Sequence, residues 1–175
     1  MDNEYYVTWY RIEGVDRYLL WRNGGDDHDG VLVDDSRRVP SFRTPDEAER
    51  AARRLGLHFC EEKPLLIDLD VVVGWLAKPQ AEDIDCSALL GAFNLFWDVS
   101  LSIGVIGSEF LALKQEAVEN KVYDRLFWGT NPPALTPLGK HFVPEWDDID
   151  IEFLSVALGT GLDMFRKSML AEDKD

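Results

Sequence analysis

Short runs in which apolar and polar positions alternate dominate the first third of the chain. YYVTWYRI (5–12) and YLLWRN (18–23) are rich in β-branched and aromatic side chains and are joined through Gly14. A pair of such runs with a short connection predicts a β-hairpin. GVLVDD (30–35) predicts a third strand, and RRVPSFR (37–43) predicts a short fourth strand, which its proline places at the edge of the sheet.

A helical period replaces this alternation in TPDEAERAARRLG (44–56), where alanines recur on one face. Thr44 is placed as the N-cap, Pro45 takes the first helical position, and Glu47 completes a capping box. Gly56 marks the end of the helix, because glycine readily adopts the left-handed conformation found after helix C-termini. The pattern therefore predicts one short amphipathic helix.

Apolar residues become denser in the middle of the chain. The stretch 64–79 is too short to reveal its period, and we interpret it as a strand near 65–67 followed by a helix. Two longer helical patterns follow, at 86–104 and at 108–129. The second is expected to break near Asn120.

Four prolines in TNPPALTPLGKHFVP (130–144) exclude a helix and predict a loop, after which a last helix is expected over about 145–171. Strands early and helices late predict an α+β fold, in which a small N-terminal antiparallel sheet packs against several α-helices and the C-terminal half is helical. We expect a single domain over residues 1–175, sheet-rich over 1–67 and helical over 68–171.

Acidic residues outnumber basic ones, and unevenly along the chain. The 175 residues include 33 Asp and Glu against 18 Lys and Arg, a net charge of −15 at pH 7, and residues 61–175 carry −12 of it. A surface of this sign repels phosphate backbones and attracts basic proteins, so we expect no nucleic-acid partner. Acidic surfaces also serve solubility, so the charge alone does not identify a partner.

The chain has the features of a soluble protein. Its longest apolar stretches, such as LLIDLDVVVGWLA, are broken by Asp68 and Asp70 and fall short of the roughly 20 residues that a membrane helix needs. MDNEYY at the N-terminus lacks the basic start and apolar run of a secretion signal, so we expect a cytoplasmic protein with no membrane partner. Cys60 and Cys86 are the only cysteines, and we expect both to be reduced.

Signatures of cofactor or metal chemistry are missing from the sequence. GGDDHDG (24–30) does not match the spacing of a calcium loop, and neither a G-x-S-x-G turn nor a phosphate-cradling glycine loop occurs. His58 and Cys60 lack the second ligand pair that a zinc site requires. We expect no cofactor and no bound metal.

A cluster of carboxylates marks the predicted start of the last helix, in HFVPEWDDIDIEFL (141–154). The helix dipole stabilises acids in a first helical turn by about 0.3–1 kcal/mol each. Two or three acids would suffice for that purpose and five repel one another, so a docking surface for a basic partner is an equally good interpretation. Two tryptophans border the cluster, as is common at protein-binding surfaces. The candidate partner-binding residues are Trp128, Glu145, Trp146, Asp147, Asp148, Asp150 and Glu152.

Four further polar residues are candidates for chemistry. Asn94 and Asp98 lie one turn apart in LLGAFNLFWDVS, a helix that is otherwise apolar. Buried polar groups need partners, and we expect these two to anchor the backbone of the loop over 130–139 rather than to catalyse a reaction. Asp68 and Asp70 could act as an acid/base pair, but capping and surface roles are the favoured interpretation.

The combination of LLGAFNLFWDVS, YDRLFWGTNPPALTPLG and a closing acidic helix, over roughly residues 60–165, resembles the immunity proteins that accompany bacterial polymorphic and contact-dependent growth-inhibition toxins. The resemblance implies a cytoplasmic protein without catalytic residues that binds one cognate toxin domain, commonly a basic nuclease, and blocks its active site. Two alternatives stay open. One is a small hydrolase that uses Asp68, Asp70, Asn94 and Asp98, and the other is an acidic regulator of another basic protein.

Overall fold

The structure, a computed structural model, describes residues 3–25 and 27–169. The strands are β1 (Glu4–Ile12), β2 (Val15–Asn23), β3 (Gly30–Val31), β4 (His58–Phe59) and β5 (Leu66–Asp68). The α-helices are α1 (Pro45–Arg54), α2 (Leu69–Ala77), α3 (Cys86–Ile103), α4 (Ser108–Glu119), α5 (Val122–Gly129) and α6 (Asp148–Ser168). The predicted α+β class and the helical C-terminal half are both confirmed.

The predicted hairpin is confirmed. β1 and β2 pair antiparallel along their whole length, from Glu4 opposite Asn23 to Ile12 opposite Val15. The connection consists of Glu13 and Gly14, whose φ angles are 55° and 70°. Two positive φ angles in succession give a tight turn whose twist matches that of the flanking strands.

The sheet is mixed rather than antiparallel throughout. Among the described residues its strand order is β3-β2-β1-β4, and β5 also pairs with β1. Both β4 and β5 run parallel to β1, β4 beside its start and β5 beside its end. Parallel pairing requires a crossover connection, and α1 supplies it by carrying the chain back across the sheet before β4 begins.

The third strand is shorter than predicted, and the predicted fourth strand over residues 37–43 does not form. Only two residues of the stretch 30–35 belong to β3, and residues 37–43 form isolated single-residue bridges instead of a strand. The cause is a turn at Asp34, whose carboxylate accepts hydrogen bonds of 2.8 Å from the backbone N–H groups of Ser36 and Arg38. Such an aspartate turn redirects the backbone and ends the pairing.

Helices cover both faces of the hairpin. Leu20 is buried together with Ala48 and Ala52 of α1, whereas Tyr10 and Leu19 are buried in the larger core formed with the other helices. Because neighbouring strand residues point to opposite faces, Leu19 and Leu20 fill different cores.

The helix α1 begins and ends where predicted, but the expected capping box is not completed, because Glu47 does not accept a hydrogen bond from the N–H of Thr44. The Thr44 hydroxyl accepts a hydrogen bond of 3.2 Å from the Glu47 N–H. The Glu47 carboxylate accepts from the N–H of Arg43, one residue before the cap, at 2.9 Å. Gly56 follows the helix with a φ of 66°. These contacts satisfy N–H groups that helix geometry would otherwise leave free.

The helix α3 forms the centre of the larger core. Its Phe93 and Phe96 are fully buried. Phe93 packs on Phe110 of α4 and Phe96 packs on Phe165 of α6, with ring centroids 5.3 and 5.8 Å apart. α6 approaches α3 closely at Gly161, where a Cβ atom would lie 2.4 Å from a ring carbon of Phe96.

The later helix boundaries follow the predictions closely. The pattern over 108–129 breaks as expected, because Lys121 has a φ of 67° between α4 and α5. α6 begins at Asp148, three residues after the predicted start, and ends at Ser168, three residues before the predicted end at 171, a position that itself lies outside the described residues. The sequence over 130–144 is a loop.

The stretch Cys86–Glu119 is long and apolar enough, by length and composition alone, to cross a membrane. In the structure this stretch is α3, a 3₁₀ turn and α4, and the chain bends at Gly104, which has a φ of 72°. Phe93, Phe96 and Phe110 from this stretch are buried against other parts of the chain. The two helices of this stretch therefore contribute to the hydrophobic core of the domain.

Candidate functional site

Arg125 fastens the segment that leads into α6. Its guanidinium donates a hydrogen bond to the Asp150 carboxylate and another, of 3.4 Å, to the backbone carbonyl of Glu145. The guanidinium carbon also lies 5.3 Å from the centre of the Trp146 ring. Asp150 is only 7% exposed, and Trp146 is half-buried against the core. Asp150 and Trp146 therefore both help to hold the segment against α5.

Asp147 and Asp150 also form a capping box at the start of α6. The Asp147 carboxylate accepts a hydrogen bond of 2.8 Å from the Asp150 N–H, and the Asp150 carboxylate accepts one of 3.2 Å from the Asp147 N–H. Each carboxylate thus accepts a hydrogen bond from a backbone N–H group at the start of the helix. Two of the five clustered carboxylates are therefore used by the chain itself.

The other three carboxylates of the cluster face solvent. Glu145, Asp148 and Glu152 are exposed. In the part of the chain that the structure describes, no lysine, arginine or histidine forms an ion pair with any of them. Their charge is available to a partner.

Exposed apolar side chains lie next to these carboxylates in the sequence, before Glu145 and within α6. Val143 and Ile149 are each 77% exposed, and Phe142 is 45% exposed. On α6, Ile149, Glu152 and Val156 are separated by three and four residues and so lie on one face of the helix. We define the acidic–apolar surface as Trp128, Phe142, Val143, Glu145, Asp148, Ile149, Glu152 and Val156.

Trp128 joins this surface from the last turn of α5. It is 44% exposed, and its ring packs edge-on against Phe127 with the centroids 5.3 Å apart. The next residue, Gly129, is so close to the loop that a Cβ atom there would lie 2.8 Å from a ring carbon of Pro144. The end of α5 and the start of the acidic segment are therefore neighbours in space.

Asn131 holds the loop in place, a role that the sequence pattern did not identify. Its amide nitrogen donates to the backbone carbonyls of Gly129 and Phe142, at 3.1 and 3.0 Å, and its oxygen accepts from the Phe142 N–H at 2.7 Å. The φ of Asn131 is 49°, in the region that asparagine tolerates better than most residues. This side chain closes the loop across eleven residues.

A cavity of about 660 Å³ lies between the sheet and α3, and none of the residues of the acidic–apolar surface lines it. Asn94 and Asp98 line it from α3. The Asp98 carboxylate accepts a hydrogen bond of 2.8 Å from the indole N–H of Trp21, and the Asn94 carbonyl oxygen accepts one of 2.8 Å from the Tyr123 hydroxyl. The expectation that these residues anchor the loop over 130–139 is wrong, because their partners are side chains of β2 and α5.

The Asp98 carboxyl is electrostatically unusual. Burial raises its pKa from 3.8 to about 6, the Trp21 hydrogen bond lowers that pKa, and the nearby negative charge of Asp29 raises it. Partial removal from water disfavours the charged form of a carboxyl group. Asp98 therefore changes its charge close to neutral pH.

Asp68 and Asp70 have structural partners and do not line this cavity. Asp68 caps α2 by accepting from the Asp70 N–H at 3.1 Å and lies 3.6 Å from the Arg11 guanidinium. Asp70 accepts from the N–H groups of Glu13 and Gly14 at 2.6 and 2.7 Å, which secures the hairpin turn. The structure does not bring the four candidate catalytic residues together.

Cys60 and Cys86 are free thiols. Within residues 3–25 and 27–169, no group of three or more His, Cys, Asp and Glu side chains is placed to hold a metal ion. Comparison of the chain with known protein families, with curated proteins and with solved structures finds no match.

Proposed function

We propose that the protein is a non-enzymatic immunity protein that binds a basic toxin domain in the cytoplasm through the acidic–apolar surface. One observation carries this proposal. Glu145, Asp148 and Glu152 are exposed without ion-pair partners among the described residues, and two exposed apolar side chains lie close to them in the sequence, Ile149 next to Asp148 and Val143 two residues before Glu145. A soluble protein rarely exposes a group of large apolar side chains unless a partner covers it.

The apolar and the acidic side chains of this surface would contribute to binding in different ways. Burial of Ile149 and its apolar neighbours against a partner would remove apolar area from water, which stabilises the complex. The carboxylates, together with a net charge of −15, would attract a positively charged partner and speed its capture.

A nuclease toxin suits this surface for a physical reason. Its substrate site must attract phosphate groups and is therefore rich in lysine and arginine, so an acidic surface is complementary to it. An immunity protein docked over that site excludes the nucleic acid by occupying the same volume. We propose occlusion, with no chemical step, as the mode of inhibition.

Preorganisation would favour tight binding. Two residues hold the segment that carries most of this surface. Asn131, just after α5, forms hydrogen bonds with the backbone of Phe142, and Arg125 of α5 donates a hydrogen bond to Asp150 in the first turn of α6. A segment already held in its bound conformation loses less conformational entropy when a partner docks.

The direct test is to mix the protein with the toxin domain encoded immediately upstream of its gene. We expect a stoichiometric complex that abolishes toxin activity and whose association rate falls as salt is added. Absence of a complex, or an association rate that does not depend on salt, would contradict the proposal. Binding to a different basic protein, without binding to the toxin domain, would instead favour an acidic regulator.

A second candidate function is hydrolysis in the cavity beside α3. It is favoured by Asp98, a carboxyl with a pKa of about 6 that lines the cavity together with Asn94. Carboxyls with such values are common in general acid and base catalysis. A screen of ester, amide and phosphoester substrates tests it, since an activity that disappears in D98N would support an enzyme, and no turnover would count against one.

A further inference from the structure

The cavity beside α3 is lined by aromatic, aliphatic and polar residues. Tyr6 and Trp21 line one side, and their rings pack on each other with centroids 5.7 Å apart and an interplanar angle of 51°. Leu66, Ile67 and Leu95 line it with aliphatic side chains. The cavity thus combines an aromatic wall and an apolar wall with the polar side chains that α3 contributes, which is the usual composition of a small-molecule site.

The polar side chains that line the cavity include two carboxylates, Asp98 and Glu62, beside neutral groups. Asp98 receives one hydrogen bond, from Trp21, and no cation of the described residues forms an ion pair with its carboxylate. Glu62 adds a second carboxylate at the rim, where Lys63 is the one cationic residue among those that line the cavity. Carboxylates and aromatic faces both attract cations.

We infer that this cavity binds a small organic cation, an ammonium or guanidinium group on an apolar body, with the charge at Asp98 and the body against Trp21 and the aliphatic wall. The inference concerns a cavity separate from the acidic–apolar surface and does not rest on the proposed function. A bound cation would offset the cost of holding the Asp98 carboxylate partly out of water. An anion would face the Asp98 and Glu62 charges, and a neutral ligand would leave Asp98 with the Trp21 hydrogen bond but without a cationic partner.

The size of the cavity favours a free small molecule as the source of the cation. About 660 Å³ falls within the range of small-molecule sites and exceeds the volume of one lysine or arginine side chain. We therefore commit to a diffusible ligand rather than to a basic side chain inserted by a protein partner.

Binding of a cation should depend on pH, because protons compete for Asp98. The charged groups around it are Asp29 in the loop before β3, Glu62 and Lys63 at the rim, and Arg22 on β2, which donates to the backbone carbonyl of His28. With a pKa of about 6 for Asp98, acidification from pH 7.5 to 5 should weaken cation binding about tenfold.

The test compares 2-phenylethylammonium with 2-phenylethanol, a neutral molecule of the same size, in titration calorimetry on the full chain. We expect the ammonium to bind at least about tenfold more tightly at pH 7.5, a tenfold advantage being about 1.4 kcal/mol. The indole N–H resonance of Trp21 should shift on binding. Equal affinity for the two molecules, or no binding of the ammonium at millimolar concentration, would overturn the inference.

Variants make the test specific to Asp98. D98N should abolish both the ammonium advantage and its pH dependence, whereas D163N, which removes an exposed carboxylate on α6, should leave both unchanged. E62Q should weaken ammonium binding less than D98N does, since Glu62 lies at the rim. An ammonium affinity that is the same in D98N and in the natural protein, with both folded by their NMR spectra, would contradict the inference.

Discussion

The guanidinium of Arg125 pairs with the carboxylate of Asp150, the most buried acid in the first turn of α6. This pair joins α5 to α6 and neutralises one of the acids that the sequence offered as a binding residue. Arg125 also donates a hydrogen bond to the backbone carbonyl of Glu145, three residues before α6 begins.

Replacing Arg125 with methionine should lower the free energy of unfolding by about 1–3 kcal/mol. Asp150 would then be a buried carboxylate without a cationic partner, and breaking such a pair from one side is costly, although partial exposure of Arg125 moderates the effect. Urea denaturation measures it. The double variant R125M/D150N should be more stable than the sum of the two single effects predicts, and strict additivity would argue against the pairing.

Replacing Gly161 with alanine should destabilise the protein by roughly 1–3 kcal/mol, because the added methyl group would overlap the Phe96 ring. Gly159 provides the matched control on the same helix, since a Cβ atom there meets nothing within 4 Å. G159A should be neutral or stabilising by about 0.5–1 kcal/mol, as alanine favours helices over glycine. Denaturation curves that shift equally for the two variants would contradict the close packing of α6 on α3.

Replacing Asp98 with asparagine should stabilise the protein at pH 7.5, by about 1–3 kcal/mol. The folded-state pKa of about 6 exceeds the ordinary 3.8, so the folded protein binds this proton more tightly than the unfolded chain does. The contribution of Asp98 to stability is therefore present below about pH 4 and is lost as the pH rises through about 6. Because asparagine carries no charge at any pH, D98N does not lose stability as the pH rises through about 6.

The check on Asp98 is the free energy of unfolding of both proteins from pH 4 to 8. The advantage of D98N should grow over this range and be smallest at pH 4. An advantage that is independent of pH would mean that asparagine stabilises the site for another reason, and a loss of stability at pH 7.5 would contradict the burial of the charge.

Replacing Asn131 with alanine should release the loop that carries Phe142. Three hydrogen bonds would be lost, and the positive φ suits alanine poorly, so we expect a destabilisation of about 1–3 kcal/mol. Hydrogen exchange at the Phe142 amide should accelerate at least about tenfold. K140A, a change of an exposed residue in the same loop, should leave that amide protected, and slow exchange in N131A would show that the loop is held by other contacts.

Local signals predicted much of the fold. Thr44 and Asp68 cap helices in the structure as predicted, because capping depends on a few neighbouring residues. The parallel pairing of β4 and β5 with β1 was not predicted, since it joins residues more than fifty positions apart. A two-residue strand such as β4 leaves almost no periodic pattern to detect.

The candidate site was predicted only in part. The acidic cluster was visible in composition, but the sequence did not separate Asp150, which lies on the buried face of α6 with Leu154 and Ala157, from Asp148 and Glu152 on the exposed face. Ile149 shows the same limit. An isoleucine is usually buried, and the sequence does not show that Ile149, which is 77% exposed, lies on the side of α6 that faces solvent.

The most direct measurement of the central claim is the rate at which the protein associates with the proposed partner, a basic toxin domain, after charge removal from the acidic–apolar surface. The test variant carries Glu145→Gln, Asp148→Asn and Glu152→Gln. The control carries Glu82→Gln, Glu116→Gln and Asp163→Asn, which remove the same charge from exposed acids elsewhere. Stopped-flow association at low salt should slow at least about tenfold for the test variant and much less for the control, and the difference should shrink at high salt. Equal association rates for the two variants would contradict the account.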